Sequence, residues 1–160
     1  MHNHLFFAAA YASALGLSAL GSVAGVGVAG MTAIGAGKRC LMQGKPFPFM
    51  LIAFVGAPLT QTIYGFLLMN TIIGLGNAEL AKGAAAASWV FALLLAAGVF
   101  GGLVIGGSAY VQGRMAGCSA DAFAETGQGF ANYMMMLGII ESVALFVMIF
   151  FMVALPKLAG

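Results

Sequence analysis

Residues 130–155 read FANYMMMLGIIESVALFVMIFFMVAL, an apolar stretch whose one charged residue is Glu141. About 20 consecutive apolar residues are enough for an α-helix to cross a bilayer core of roughly 30 Å. This stretch is longer than that minimum, and Pro156 follows it directly, as is common beyond the end of a helix. It therefore predicts a transmembrane helix with an acidic residue about midway along it.

The rest of the chain has the same character. Three further apolar stretches lie at about 5–37, 47–75 and 84–116, with polar turns at 38–46, 76–83 and 117–121. Of the 160 residues, 62% are hydrophobic and 6% are charged, whereas soluble domains carry roughly 25% charged residues. The first stretch is too long for a secretory signal and has no Lys or Arg before it, so we expect a helix there as well. The composition excludes a water-soluble globular protein and predicts an all-α membrane protein with four transmembrane helices.

Charge and cysteine content limit the partners. The net charge of +2, without a basic run that carries interleaved aromatic residues, excludes nucleic acid. Cys40 and Cys118 are too few for a disulfide framework or a zinc-ligand cluster, so we expect free thiols. Four other charged residues lie in or near the predicted turns, and we expect them to be solvated helix ends: Glu79, Lys82, Asp121 and Glu125.

The distribution of basic residues predicts an orientation in the membrane. Two turns on one side are associated with Lys38, Arg39, Lys45 and Arg114, against Lys82 and Lys157 on the other side. Because cytoplasmic loops carry an excess of Lys and Arg, we expect the turns at 38–46 and 117–121 to be cytoplasmic. Both termini and the central loop then lie outside.

The chain also repeats itself after 80 residues. Shifting it by that length superposes Gly27 on Gly107 and brings the four apolar stretches into correspondence. The repeat predicts two tandem transmembrane hairpins of the same orientation, at 1–78 and 79–160, within one membrane domain that contains an internal duplication.

Small and large residues are distributed unequally among the predicted helices. Glycine is frequent in the first and third helices, whereas Phe, Met, Ile and Leu dominate the second and fourth. In lipid, small residues let helix backbones approach closely. Copies with the thin helices inward and the bulky helices outward would close into a ring, in line with the cyclic symmetry of most oligomers. Tight packing within a single four-helix bundle would explain the same composition.

Glu141 is the candidate functional residue. A central acid costs about 2.5–3.5 kcal/mol on insertion scales, so such a residue usually has a partner or a function. No Lys or Arg lies at comparable depth in the sequence. Its charge must therefore be cancelled by a bound cation or by a proton. The alternative is a protonated carboxyl group that only hydrogen-bonds a neighbouring helix.

The second helix contains neutral oxygen ligands. Gln61 stands 80 residues before Glu141, at the equivalent place in the first repeat. Thr60 and Tyr64 are four residues apart, so they and Gln61 can project to neighbouring positions on one side of a helix. The alternative functions are a Thr bonded to its own backbone and a Tyr that marks the membrane interface.

Pro58 and Gln112 add two further features. Proline lacks an N–H group and tends to kink a helix, which offers backbone oxygens such as that of Ala57. Gln112 lies about a turn from the predicted end of the third helix, where its amide could complete the set of ligands or simply face the interface.

These residues resemble a known family. The resemblance rests on Glu141 in the last helix, on Pro58, Thr60, Gln61, Tyr64 and Gly65 in the second, and on Gln112, Gly113 and Arg114 in the third. The pattern is similar to the duplicated proteolipid (K or c) subunit of bacterial Na⁺-transporting V-type ATPases, and it covers essentially the whole chain. In that family, a glutamate, two glutamines, a threonine hydroxyl and a backbone carbonyl surround Na⁺, and a tyrosine hydroxyl holds the glutamate. The resemblance implies these roles for Glu141, Gln61, Gln112, Thr60, Ala57 and Tyr64.

The resemblance also implies partners and a mechanism. It implies a homo-oligomeric rotor ring in the lipid of a bacterial cell membrane, a stator membrane subunit with an arginine, and central-stalk subunits. The chain has no GxxxxGK[ST] phosphate-binding loop, so ATP hydrolysis or synthesis belongs to partner subunits, and we expect no catalytic residue and no cofactor here.

The identity of the ion stays open at the level of sequence. A hard cation needs several oxygens to replace its water, whereas a proton needs only the carboxylate, so two glutamines and a threonine favour Na⁺ over H⁺. The remaining alternatives are a small secondary transporter that uses Glu141 and a structural four-helix protein.

Overall fold

The computed structural model describes residues 2–159, and nearly all of them are helical. The helices are α1 (His2–Met42), α2 (Leu51–Gly56), α3 (Thr60–Leu80), α4 (Ser88–Thr126) and α5 (Phe130–Ala159), with short 3₁₀ segments at Ala57–Leu59 and Gly83–Ala85. Since α2 continues through the first 3₁₀ segment into α3, the described residues form four spans that are long and apolar enough to cross a membrane. The predicted all-α membrane fold with four transmembrane helices is confirmed.

The third span ends later than the sequence indicated. The turn predicted at 117–121 is wrong, because α4 runs through these residues and the chain turns at Gly127 and Gly129, with φ angles of 68° and 82°. Small side chains explain the longer helix, since Ala116 and Ala120 are completely buried. The segment that looked like a turn is therefore a helical surface that packs on the rest of the bundle.

Polar residues in this segment are accommodated within the helix. Ser119, which could have capped the fourth helix, donates its hydroxyl to the carbonyl oxygen of Met115 at 2.9 Å. Asp121 was expected to be simply solvated, but it forms an ion pair with Arg39 near the end of α1. Because both side chains are about half exposed, this pair contributes at most about 1 kcal/mol. It joins the ends of α1 and α4.

The two hairpins pack in parallel through α1 and α4. Gly98 contacts Ala10, and Gly106 contacts Leu17, so the contacts advance in the same direction along both helices. Further along, Gly113 packs on Gly25, and in each case a Cβ atom added to the α4 glycine would overlap backbone atoms of α1. Glycine is thus required because the two backbones touch.

Helix α3 lies antiparallel on α1. Phe7 packs on Gly76, and Ser18 packs on Gly65, so later residues of α1 meet earlier residues of α3.

Two apolar clusters fill the core of the bundle. One contains Leu68, Phe91 and Leu94, and the other contains Phe54 and Leu137. Between the two clusters lies a layer of polar side chains, in which Gln61 and Gln112 are completely buried.

The loop between the hairpins also differs from expectation. Glu79 was predicted to be a solvated helix end, but it is only 3% exposed. Its carboxylate accepts the backbone N–H of Ala87 at 2.6 Å and lies 2.6 Å from Nζ of Lys82. The buried carboxylate is stabilised by these two partners, and it fixes the chain between α3 and α4.

Candidate ion-binding site

A change in helix type at Pro58 exposes a backbone oxygen. Residues Ala57–Leu59 form a 3₁₀ segment between α2 and α3, and Pro58 itself is buried. Because proline cannot donate a backbone hydrogen bond, the regular α-helical pattern is interrupted here. The carbonyl oxygen of Ala57 then lies 3.3 Å from the hydroxyl oxygen of Thr60.

Thr60 brings together three oxygens at the start of α3. Its Oγ1 is 3.3 Å from the carbonyl oxygen of Ala57 and 3.2 Å from Oε1 of Gln61. A hydroxyl has one proton and two lone pairs, so it can donate to only one of these oxygens at a time. The arrangement therefore presents more acceptor oxygens than there are protons to satisfy them.

The two glutamines form a direct bridge between α3 and α4. Nε2 of Gln61 donates to Oε1 of Gln112 at 2.7 Å, and neither residue is exposed. Gln112 does not lie near a helix end, as the sequence indicated, because α4 continues to Thr126. Its Nε2 donates to the carbonyl oxygen of Leu137 at 3.0 Å and approaches Oε2 of Glu141 at 3.4 Å.

Glu141 lies half-buried on α5 and is held from two sides. The hydroxyl of Tyr64 donates to its Oε1 at 2.8 Å, and the amide of Gln112 approaches the other carboxylate oxygen. The ion pairs among residues 2–159 are Arg39–Asp121 and Lys82–Glu79, so no basic side chain balances Glu141 there. A negative carboxylate at this depth needs a cation or a proton to neutralise it.

The six residues proposed from the sequence therefore lie together. Hydrogen-bond contacts connect them in the order Ala57, Thr60, Gln61, Gln112, Glu141 and Tyr64. They come from α5, α4, α3 and the 3₁₀ segment before α3. All of the oxygens are neutral except those of one carboxylate, which suits a single monovalent cation or a single proton.

Sequence reasoning missed a further polar residue beside this site. The hydroxyl of Ser108 on α4 donates to the carbonyl oxygen of Ile140 at 2.9 Å, directly before Glu141 in the chain. Ser108 stands four residues before Gln112, so both lie on the same face of α4. That spacing is the signal in the sequence that could have indicated Ser108.

The fold and the site together define an integral membrane protein with one intramembrane carboxylate among neutral oxygen donors. Residues 95–154 match the family model for the C subunit of ATP synthase. The matched region contains Gln112 and Glu141, whereas Thr60, Gln61 and Tyr64 lie outside it. The match supports a c-type proteolipid, which is an ion-carrying rotor-ring subunit of an ATP synthase or ATPase.

Members of this family are non-catalytic membrane proteins that form oligomeric rings against a stator subunit. A comparison with curated proteins gave no match.

Proposed function

We propose that this chain is a duplicated proteolipid subunit of a V-type ATPase or ATP synthase, and that its ring carries Na⁺ on Glu141. The observation that carries the proposal is the environment of that carboxylate. It accepts a hydrogen bond from Tyr64 at 2.8 Å, lies beside the amide of Gln112, and has no basic partner among the described residues. A mobile cation would balance its charge during transport.

The neighbouring oxygens support Na⁺ as the transported ion. Oxygens held at about 2.3–2.6 Å from a hard cation such as Ca²⁺, at right angles to one another, are roughly 3.3–3.7 Å apart. Na⁺ is nearly the same size as Ca²⁺. The oxygens of Ala57 and Gln61 lie 3.3 and 3.2 Å from the hydroxyl oxygen of Thr60, close to that spacing. Transport of H⁺ by the same rotor is the alternative, because a proton needs only the carboxylate of Glu141.

The proposed mechanism places the chemistry of ATP in other subunits. The ring turns against a stator membrane subunit, and an arginine of that subunit loosens the ion from Glu141 where the two meet. Central-stalk subunits couple this rotation to ATP hydrolysis or synthesis. One carboxylate for four helices gives fewer ions per turn than one for two helices, which suits pumping against a steep gradient.

The proposed location is a bacterial cell membrane. The connections between α1 and α2 and between α4 and α5 would face the cytoplasm, since most basic residues lie towards that end. The termini would then lie outside. The parallel packing of α1 on α4 disfavours a secondary transporter with inverted repeats.

Carbodiimide labelling of Glu141 in the purified ring tests the proposal. We expect Na⁺ to slow the labelling, while K⁺ at the same ionic strength has little effect, because the bound cation shields the carboxylate. The Glu141→Gln variant serves as the control and should take up no label at this site. Labelling that ignores Na⁺ and falls as the pH rises would favour H⁺ as the ion. If the Glu141→Gln variant kept coupled ion transport, the rotor proposal itself would fail.

A further inference from the structure

A buried serine on α1 lies at the level of the ion site. Ser18 on the same helix packs on Gly65, and a Cβ atom added to Gly25 would lie 3.0 Å from Cβ of Pro58. Because α1 and α3 are antiparallel, Ser22, between Ser18 and Gly25, lies opposite the stretch of α3 between Pro58 and Gly65. Gln61 occupies that stretch.

The hydroxyl of Ser22 has no partner. Ser22 is 2% exposed, and its Oγ makes no hydrogen bond to any residue of the described chain. Ser18, one turn earlier, donates its hydroxyl to the carbonyl oxygen of Ala14 at 2.7 Å, which is the usual solution for serine inside a helix. An unpaired buried hydroxyl is unfavourable, and such groups call for an explanation.

Gln61 has a donor that could fill this need. A primary amide carries two N–H donors. Within residues 2–159, Nε2 of Gln61 makes one hydrogen bond, to Oε1 of Gln112. The second N–H of Gln61 and the hydroxyl of Ser22 are thus both buried and unpaired at the same level of the bundle.

We infer that Ser22 is a positioning residue for Gln61, whose second N–H donates to the hydroxyl oxygen of Ser22. This bond holds the nitrogen of the Gln61 amide towards α1, and it therefore turns Oε1 towards Thr60 and Glu141, where a cation would bind. The inference rests on the proposed Na⁺ function. It assigns to α1 a role in selecting the ion, although none of the ligands belongs to α1.

A purely structural serine would behave differently. Removing a buried hydroxyl that has no partner is neutral or stabilising, and it should leave ion binding unchanged. If Ser22 orients Gln61, the Ser22→Ala variant should bind Na⁺ more weakly. Its response to pH without Na⁺ should stay unchanged, because protonation of the carboxylate does not need the Gln61 oxygen.

The test uses the assembled ring and the Na⁺ concentration that halves carbodiimide labelling of Glu141. For Ser22→Ala we expect this concentration to rise about three- to tenfold, as for the loss of one hydrogen bond. The pH profile of labelling without Na⁺ should coincide with that of the wild type. The matched control, Ser18→Ala, removes a hydroxyl that is already satisfied by its own helix, and it should leave both measurements unchanged.

Three results would overturn the inference. An unchanged Na⁺ concentration in Ser22→Ala would do so while leaving the Na⁺ proposal intact. Equal weakening in Ser18→Ala and Ser22→Ala would assign the effect to packing of α1. Absence of Na⁺ protection in the wild type would remove both the proposed Na⁺ function and the role of Ser22.

Discussion

At the scale of single residues, the hydroxyl of Tyr64 fixes the orientation of the Glu141 carboxylate. The hydrogen bond between them is 2.8 Å long and connects α3 to α5. Hydrogen bonds to an ionised group are stronger than neutral ones, although partial exposure of both side chains reduces the effect here. A carboxylate held in one orientation loses less conformational freedom when it binds an ion.

We therefore predict that Tyr64→Phe weakens Na⁺ binding. The Na⁺ concentration that halves labelling of Glu141 should rise about tenfold, as expected for the loss of one charge-assisted hydrogen bond. Tyr11→Phe is the matched control, because Tyr11 packs against the apolar cluster around Phe7 and Phe91, away from the site. An unchanged Na⁺ concentration in Tyr64→Phe would show that the Tyr64 bond does not contribute to binding in the ring.

The sequence indicated some of these residues better than others. Glu141 could be recognised because a lone acid in an apolar helix is costly, and Gln61 because the repeat places it opposite. Ser22 and Ser108 could not be recognised in the same way. Their importance depends on how far one helix is shifted along its neighbour, and hydropathy along a single helix does not encode that shift.

At the scale of helices, the close approach of α1 and α4 depends on particular glycines. A Cβ atom added to Gly106 would overlap the carbonyl oxygen of Leu17, whereas one added to Gly107 would meet no atom of the described chain within 4 Å. These adjacent residues therefore separate two effects of glycine, which are contact between backbones and low intrinsic helix propensity.

We predict opposite outcomes for alanine at these two positions. Gly106→Ala should lower the free energy of unfolding by about 1–3 kcal/mol or more, as overpacking does. Gly107→Ala should be neutral or should stabilise the helix by up to about 1 kcal/mol. Thermal unfolding of the single chain in detergent, followed by circular dichroism, measures both. Equal destabilisation by the two variants would contradict the close packing at Gly106.

The misplaced end of α4 shows where helix boundaries are difficult to predict. The segment 117–121 contains Gly, Ser and Asp, which are typical of turns. In the structure these residues are small enough to pack closely on α1, and Thr32 lies against Gly117. The turn forms later, at Gly127 and Gly129, where φ is positive. Packing between distant segments decided this boundary, and local composition could not.

At the scale of the whole molecule, the two hairpins run in parallel with their thin helices in contact. This arrangement places α3 and α5 next to each other, so that Tyr64 can reach Glu141 across 77 residues of sequence. An antiparallel arrangement would put Gln61 and Glu141 on separate sites. The single polar layer between two apolar clusters is therefore a consequence of the orientation of the hairpins.

A disulfide between α1 and α4 tests this orientation within one chain. A Cβ atom built on Gly117 lies 3.3 Å from Cβ of Thr32, close to the roughly 3.5–4.5 Å found in disulfides. In a chain that carries Cys40→Ser and Cys118→Ser, we expect the pair Thr32→Cys and Gly117→Cys to oxidise rapidly and to lose its free thiols. The product should migrate as a single chain, because the contact lies inside one protomer.

The control pair combines Thr32→Cys with Gly107→Cys. Gly107 lies on the same helix but almost three turns away from Gly117, so this pair should keep its thiols in the parallel arrangement. A ladder of linked chains from the first pair would mean that α1 and α4 meet between copies. In that case each protomer would be more open than this bundle, and the layer from Gln61 to Glu141 would have to be completed by a neighbouring copy.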